Sequence, residues 1–388
     1  MFATSLKNLI ATLCGVALCL PLAAQAGGVT YQDGDKYLKI GGRIQMQYHH
    51  DDPDGAYATD EMFFRRLRPY IEGSIHKDWL GKFQWDMGKA EDDNELAIKD
   101  AYVQYKGIKG MKVTVGNANF PFSRELLTSS KTQQLVERTF VGDHNYGTPD
   151  RQPGVHVTGA ALEKKFEYAV SLASACIDPD AKKLDFDTPV NRNDDFNEGW
   201  ILGGRVEFHP LGQVKKAQGD FKREFKFSVG AGAFAWNNDD DNSSYTVAGV
   251  DASAGKKPDV DSVTGLELSA ALRGFGLSVD AEYNRFSAET VDGAVTSGIY
   301  KQGETDLTNY ALEGGFMVIP SRLELVAGYQ VQDADGYAEK WNRTSIGANW
   351  FIKKQDIKLQ LSYRMGENLK GKDGNDADEL FVQTQYVF

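Results

Sequence analysis

The chain has almost no cysteine. Three occur in 388 residues. Two of them, Cys14 and Cys19, lie in an N-terminal segment that is expected to be removed, which leaves Cys176 and no internal disulfide. Beyond residue 26 no stretch approaches the run of about 18 apolar residues that a spanning helix needs. No Pro/Ser-rich linker or shift in composition marks a domain boundary, although a chain of this length ordinarily divides. The formal charge is −12 and there is no continuous basic face, which excludes nucleic acid as a partner. There is no G-x-S-x-G or H-E-x-x-H, and the six histidines form no spaced metal set. No catalytic residue, metal or cofactor is therefore expected.

What is present begins with residues 1–26. Lys7 precedes an apolar stretch from Leu9 to Leu22, and Ala24-Gln25-Ala26 ends it as a small-residue cleavage site. This reads as a secretory signal peptide cleaved after Ala26. A lipid anchor on Cys19 is disfavoured, because Leu18 is not the small residue such a site needs. Residues 27–388 remain as one unit, rich in glycine, tyrosine and phenylalanine and nearly devoid of helix signals.

The dominant pattern has period two. Leu38, Ile40, Ile44, Met46 and Tyr48 alternate with Lys39, Arg43, Gln45 and Gln47. Ile357, Leu359, Leu361 and Tyr363 alternate with Lys358, Gln360, Ser362 and Arg364. About sixteen such segments occur, each about 8 to 15 residues, the length a tilted membrane strand needs. Short connections alternate with long ones (50–61, 119–151, 176–198, 237–261, 288–305 and 368–377), and only 210–221 is long on the short side. A soluble β-sandwich also alternates, but it gives no reason for short and long connections to take turns. The expectation is an all-β fold, a transmembrane antiparallel β-barrel of about 16 strands. The terminal Phe388, with Tyr386 and Val382 at alternate positions before it, fits an outer-membrane barrel.

Against the acidic total, residues 63–70 read FFRRLRPY. In the strand beginning there, Arg66, Arg68, Tyr70 and Glu72 share one parity, and Leu67, Ile71 and Ile75 the other. An arginine on the lipid face at mid-membrane costs about 2–4 kcal/mol, so Arg66 and Arg68 point into the lumen. Arg65 has the opposite parity. It belongs at the rim, at a bulge or in a protein contact. Guanidinium forks facing a narrow water-filled pore attract phosphate or carboxylate; alternatively they pair with Glu72 or Asp86 and brace the wall.

The connection 119–151 is too rich in Phe, Leu and Val for a disordered linker, and loops of this length are usually functional. It follows the fifth segment, which makes it the third connection on the long-loop rim, and it is expected to fold inward as a constriction. Thr128, Ser129, Ser130 and Lys131 would then offer hydroxyls and an ammonium, with Arg124 and Arg138 beside them, facing the wall arginines. The competing reading is local: Ser130-x-x-Gln133 as a capping box, whose hydroxyls satisfy the backbone alone.

The chain resembles the phosphate-selective porin family (porins O and P). The resemblance runs through Lys39-Ile40-Gly41-Gly42-Arg43-Ile44-Gln45, Phe64-Arg65-Arg66, Lys77-Asp78-Trp79, Ile98-Lys99-Asp100-Ala101-Tyr102, Thr128-Ser129-Ser130-Lys131, Glu137-Arg138 and the ending Gln385-Tyr386-Val387-Phe388. It implies a homotrimeric, 16-stranded outer-membrane porin of a Gram-negative cell, with an infolded third loop. It also implies a water-filled channel for small anions, phosphate or polyphosphate. The pore role it carries falls on Arg43, Arg65, Arg66, Ser129, Ser130, Lys131 and Arg138, and alternation adds Arg68. The family's phosphate-selective members carry lysines where this chain has Leu80 and Leu126; Lys82 partly substitutes for the first. These departures keep open a general-diffusion porin without tight phosphate selectivity. A barrel-borne enzyme or adhesion surface is the remaining alternative.

Acids gather in the long connections: Asp51, Asp52 and Asp54; Glu91, Asp92 and Asp93; Asp239, Asp240 and Asp241; Asp373, Asp376 and Asp378. They either solvate exposed loops or bind divalent cations beside lipopolysaccharide. They form no EF-hand order.

Overall fold

The computed structural model describes residues 28–88, 96–178, 180–188, 198–238 and 259–388. The expected signal peptide with Cys14 and Cys19, and the acids at 91–93 and 239–241, lie outside the described residues.

The described chain is almost entirely strand. In order these are β1 (Val29–Asp33), β2 (Lys36–Pro53), β3 (Thr59–His76), β4 (Trp79–Asp86), β5 (Ala97–Tyr105), β6 (Met111–Asn119), β7 (Arg151–Ala161), β8 (Phe166–Asp178) and β9 (Asp185–Asp187). They continue with β10 (Glu198–Phe208), β11 (Lys226–Asn238), β12 (Val260–Gly274), β13 (Leu277–Thr290), β14 (Glu304–Ile319), β15 (Leu323–Asp333), β16 (Trp341–Lys353), β17 (Ile357–Glu367) and β18 (Ala377–Val387). Each long strand pairs antiparallel with its chain neighbour, β10 pairs with β8, and β18 returns to β2. The result is a closed 16-stranded antiparallel barrel, as the period-two segments predicted. β1 and β9 are short additions to the ends of β2 and β8.

Closure gives each of the sixteen long strands a partner on both sides, so the wall can face lipid. The seam is finished by Phe388, whose amide and carbonyl exchange bonds of 3.0 and 2.8 Å with Gly42. Its ring lies over Gly42, where a Cβ would come within 2.8 Å of the ring tip, so a larger residue there would make the ring shift.

Alternation appears as an inverted burial pattern. On β12, Glu267 is 0% exposed, while Leu266 and Leu268 on either side are 46% and 50% exposed. The apolar face looks outward and the polar face inward, the reverse of a soluble sandwich. One rim carries tight turns with left-handed residues, among them Phe275, Ser321 and Lys354. The other carries the long connections. β2 and β3 run further than alternation alone predicted, to Pro53 and from Thr59, which shortens the first long loop to residues 54–58. The exception on the tight-turn rim is real, and the connection there runs over residues 209–225.

Much of the lumen is filled. Residues 120–150 cross the interior to the far wall: the Phe140 amide donates to Gln330 Oε1 at 2.8 Å and the Val136 amide to Ser362 Oγ at 3.2 Å. Asn284 Nδ2 donates to Val141 O at 2.9 Å. The third loop is therefore infolded, as expected. Its Phe120 and Phe122 join Phe186, Phe234, Trp236 and Phe286 in a dry cluster inside the barrel. Such a core inside the barrel was not legible from alternation, which does not say which inward-facing and loop side chains pack together.

Candidate functional site

The basic site lies where the inner faces of β2, β3 and β4 meet the infolded loop. FFRRLRPY places its arginines there by an irregularity. Gln45 pairs with Arg66 and Met46 with Phe64, so Arg65 is the extra residue of a bulge. The bulge turns Arg65 inward against its parity, and Arg65 and Arg66 both reach the lumen. Of the three places the sequence left open for Arg65, the bulge is the one observed.

The partners separate the arginines. Arg65 grips Glu137 of the loop with both prongs of its fork, Nε at 2.8 Å and Nη2 at 3.1 Å. Burial would raise the Glu137 carboxyl, but Arg65 and Arg66 hold it down to about 2. Arg68 bonds Asp86 at 2.5 Å, and Lys82 bonds Asp100 at 2.6 Å. Those three cations are locally neutralised, as the bracing alternative expected. Arg43 and Arg66 are not. Arg43 donates only to Ser129 Oγ at 3.3 Å, and Arg66 only to Gln45 Oε1 at 3.3 Å. Neither forms an ion pair among the described residues.

A cavity of about 340 Å³ opens between wall and loop. Arg43, Arg68, Lys82, Ser129, Ser130, Lys131 and Arg138 line it, with Arg151 and the carboxylates of Glu72 and Asp100. Arg65 and Arg66 lie outside this lining. A second cavity of about 360 Å³ shares Lys82, Asp100, Asn119 and Leu127 with it. Leu126, at one of the two positions where the family carries lysine, lines the first cavity, and Leu80 is buried nearby in β4.

Other expectations on the loop are corrected. Ser130 starts no capping box. Residues Ser130–Thr132 form one 3₁₀ turn with Ser129 at its N-cap and no side-chain cap bond, and Ser130 Oγ is buried without a partner. Gln133 instead meets the wall through its backbone carbonyl, which accepts from Lys358 at 2.9 Å, while its side-chain Nε2 donates to Glu125 Oε1 of the loop at 3.3 Å. The side chain that does cap is Ser123, on the short helix α1 (Arg124–Leu127). Arg124 does not face the wall arginines. It bonds Glu207 and Asp280 on the opposite side, because those acids are what β10 and β13 present there. Arg138 spends its donors on four loop carbonyls, those of Glu125, Gly142, Leu126 and Thr128, and so holds the loop's shape.

Sequence reasoning missed Arg151, which bonds Asp100 at 2.7 Å and Asp150 at 2.9 Å. It also missed Arg343, whose guanidinium lies 4.4 Å from the Phe140 ring and 4.3 Å from that of Trp341. Inward parity on β16 was the available signal for Arg343; Arg151 shares the parity of the exposed Val155, so alternation gave no signal for it. Two groups of potential metal ligands converge, His49–Asp51–Glu379 and Glu167–Glu207–His209. Side-chain cations already hold their carboxylates: Arg364 bonds Glu379 at 2.6 Å, and Lys216 bonds Glu167 at 2.7 Å.

The loop tip is latched from above by β9. The Gly147 amide donates to Leu184 O at 2.6 Å, and His144 Nδ1 lies 2.7 Å from Asp185 Oδ1. Burial alone would lower the imidazole. The bond to Asp185 and the charges of Asp185, Asp143 and Asp150 outweigh it and raise His144 to about 8. Lys183, also on Asp185 at 2.6 Å, is the facing cation. A raised histidine stabilises fully below its unfolded value of about 6.5 and ceases to do so as pH rises through its folded value. Protection of the Gly147 and Phe186 amides, taken relative to the intrinsic base-catalysed rise in exchange, is therefore expected to fall in a step between about pH 6.5 and 8.5. In His144→Gln that step is expected to vanish.

The comparisons agree with this geometry. The family model for phosphate-selective porin O and P matches residues 38–388. A protein of Aquifex aeolicus (strain VF5) is 24% identical, over 91% of this chain and 87% of its own. Among solved structures, the anion-selective porin from Comamonas acidovorans superposes with a TM-score of 0.61 at 12% identity, covering 91% of this chain and 100% of that one. The outer membrane channel DcaP of Acinetobacter baumannii gives 0.56 at 14% identity, covering 93% and 100%. At these identities the solved structures show the fold. The family match spans nearly the whole chain, and the chain belongs to the phosphate-selective porin O and P family, outer-membrane channels built on this barrel.

Proposed function

We propose that the barrel passes small anions, inorganic phosphate or short polyphosphate, by diffusion along its β2–β4 side. The observation that carries this reading is the imbalance at the constriction. Arg43 and Arg66 are buried with no carboxylate bonded to either, and of the six cationic side chains lining the adjoining cavity Arg68, Lys82 and Arg151 are held by aspartates while Arg43, Lys131 and Arg138 form no ion pair among the described residues. A bare guanidinium offers paired donors to two oxygens of one anion. At about 4 Å the attraction is about 4 kcal/mol at an effective dielectric near 20, against about 1 in bulk water. A narrow cavity is therefore what makes the charge effective.

Leu126 in the cavity lining supports a second reading, in which chloride and other small anions pass as readily as phosphate. The chain is further proposed to work as a homotrimer after cleavage at Ala26, with lipid around it and lipopolysaccharide at the long-loop rim. For the trimer, the supporting parallel is OmpT of Vibrio cholerae, solved in a trimer form.

The test is the zero-current potential of the purified protein in a planar bilayer under a KCl gradient, followed by added phosphate. An anion-selective potential with chloride current blocked by phosphate is expected. Anion selectivity without block selects the second reading. A cation-selective potential would refute both.

A further inference from the structure

The lumen has a second polar wall of opposite character. Glu282 on β13, Glu313 on β14 and Glu324 on β15 all face inward and are buried. None of the three forms an ion pair among the described residues. Each is instead met by a neutral donor. The Glu125 amide donates to Glu282 at 2.8 Å, the Gln218 side chain to Glu313 at 2.7 Å and the Gln134 side chain to Glu324 at 2.8 Å. Glu282 Oε1 makes no hydrogen bond of normal geometry among the described residues. The barrel thus holds bare arginines on β2 and β3 and bare glutamates across from them.

What separates the glutamates from the pore is the infolded loop and the long connection on the tight-turn rim, residues 209–225. That connection rises into the lumen instead of turning back at the rim. Gln218 is its pin, 2% exposed, with every polar group used. Its amide donates to Thr132 O at 2.9 Å and its side-chain oxygen accepts from the Gln134 amide at 2.7 Å, both on the infolded loop. Its carbonyl accepts from Gln355 at 3.0 Å, and its side-chain nitrogen holds Glu313. On either side, Ala217 O accepts from Arg273 at 2.9 Å and the Gly219 amide donates to Ser278 at 3.0 Å. The void left behind this seam, between α1 and the glutamates, is about 10 Å³. That is room for about one water and not for a hydrated ion.

We infer that residues 209–225 are a selectivity element: pinned by Gln218 beneath the infolded loop, they shut an acidic lane of the lumen and leave only the cation-lined side conducting. The groups bonded to these three carboxylates are amides, and the cations beside them, Arg124 and Arg273, are held by Glu207 and Asp280. An open lane past three glutamates would draw cations, as a ring of carboxylates does in cation channels, and would cancel the preference set by Arg43 and Arg66. The inference rests on the anion-channel reading, yet its test is separable from it.

Two full-length variants are compared with the wild-type channel in a planar bilayer: Gln218→Ala, and replacement of residues 213–219 by a short Gly/Ser linker. Conductance is expected to rise, and the zero-current potential in a KCl gradient to shift toward the potassium value, more for the replacement. Adding Glu282→Gln, Glu313→Gln and Glu324→Gln to either variant is expected to restore the wild-type potential while the conductance stays high. The wild-type potential alone judges the anion-channel reading; the shift from it judges the seal. A wider channel with an unshifted potential would overturn the inference, as would a shift that survives the three glutamine substitutions. If the replacement fails to insert, Gln218→Ala decides, and a wild-type potential and conductance there count against the seal.

Discussion

Replacing Arg43 and Arg66 together by glutamate is expected to cut chloride and phosphate conductance by at least about tenfold and to carry the zero-current potential toward cations. Each change moves the local charge by two, at residues that have no carboxylate bonded to them. At contact distance and an effective dielectric near 20, one charge is worth about 4 kcal/mol. Screening over about 8 Å reduces this for a solute still in the vestibule, not for one inside the constriction. A tenfold change needs only about 1.4 kcal/mol, so the estimate survives considerable screening. The same substitution at Arg68 is expected to act differently, because it leaves Asp86 without its cation and disturbs the wall before it alters the field. Single-channel currents and potentials of Arg43→Gln, Arg66→Gln and the double glutamate variant make the comparison. Unchanged selectivity in the double variant would move the selective field away from β2 and β3.

The second large effect is expected at Arg138. Arg138→Ala removes charged donors from four carbonyls at once, at distances of 2.6 to 3.2 Å. A hydrogen bond to a charged group is worth about 1.5–3 kcal/mol. The four share one side chain and do not add fully, so a local loss of about 4 kcal/mol is expected. Sixteen paired strands do not depend on this residue, and the barrel is expected to insert normally. The loop is what loosens. Its other internal clamp is Glu125, which accepts from the Thr139 amide at 3.0 Å and from the Thr139 hydroxyl. Glu125 is wedged so closely against Gly142 that a Cβ there would come within 2.6 Å of its carboxyl. Limited proteolysis within 120–150 and larger, noisier conductance steps are the readouts. Arg138→Lys is expected not to rescue, because an ammonium cannot reproduce a planar fork reaching four acceptors. If Arg138→Ala weakens phosphate block and leaves the loop protease-resistant, Arg138 serves the permeating anion and not the loop.

Much of this molecule could be read from residue order because its governing pattern is local. Period two is a property of a single strand. The sixteen segments, the inward parity of Arg43, Arg66 and Arg68, and the outward parity of Leu38 and Ile40 therefore needed no partner to be recognised. The apolar content of 119–151 likewise announced a buried loop. Arg65 shows where this stops. Its parity points outward, and only the register of β3 against β2, with its one-residue irregularity, turns it inward.

Which arginines are bare depended on the tertiary structure for the same reason. Residue order lists Glu137, Asp86 and Asp100 as acids but does not say that they bond Arg65, Arg68 and Lys82 and leave Arg43 and Arg66 without a bonded carboxylate. Those meetings join positions far apart in the chain: Gln45, which supports Arg66, is itself held at 2.6 Å by Gln385, 340 residues on. The bare glutamates and the Gln218 pin are of this kind too. Strand parity, loop lengths and the identity of the charges were determined by the sequence alone. The tertiary structure decided which charges cancel, which stay bare and which side of the lumen is open, because charge pairing is set by distances that only the closed barrel brings within a few ångströms.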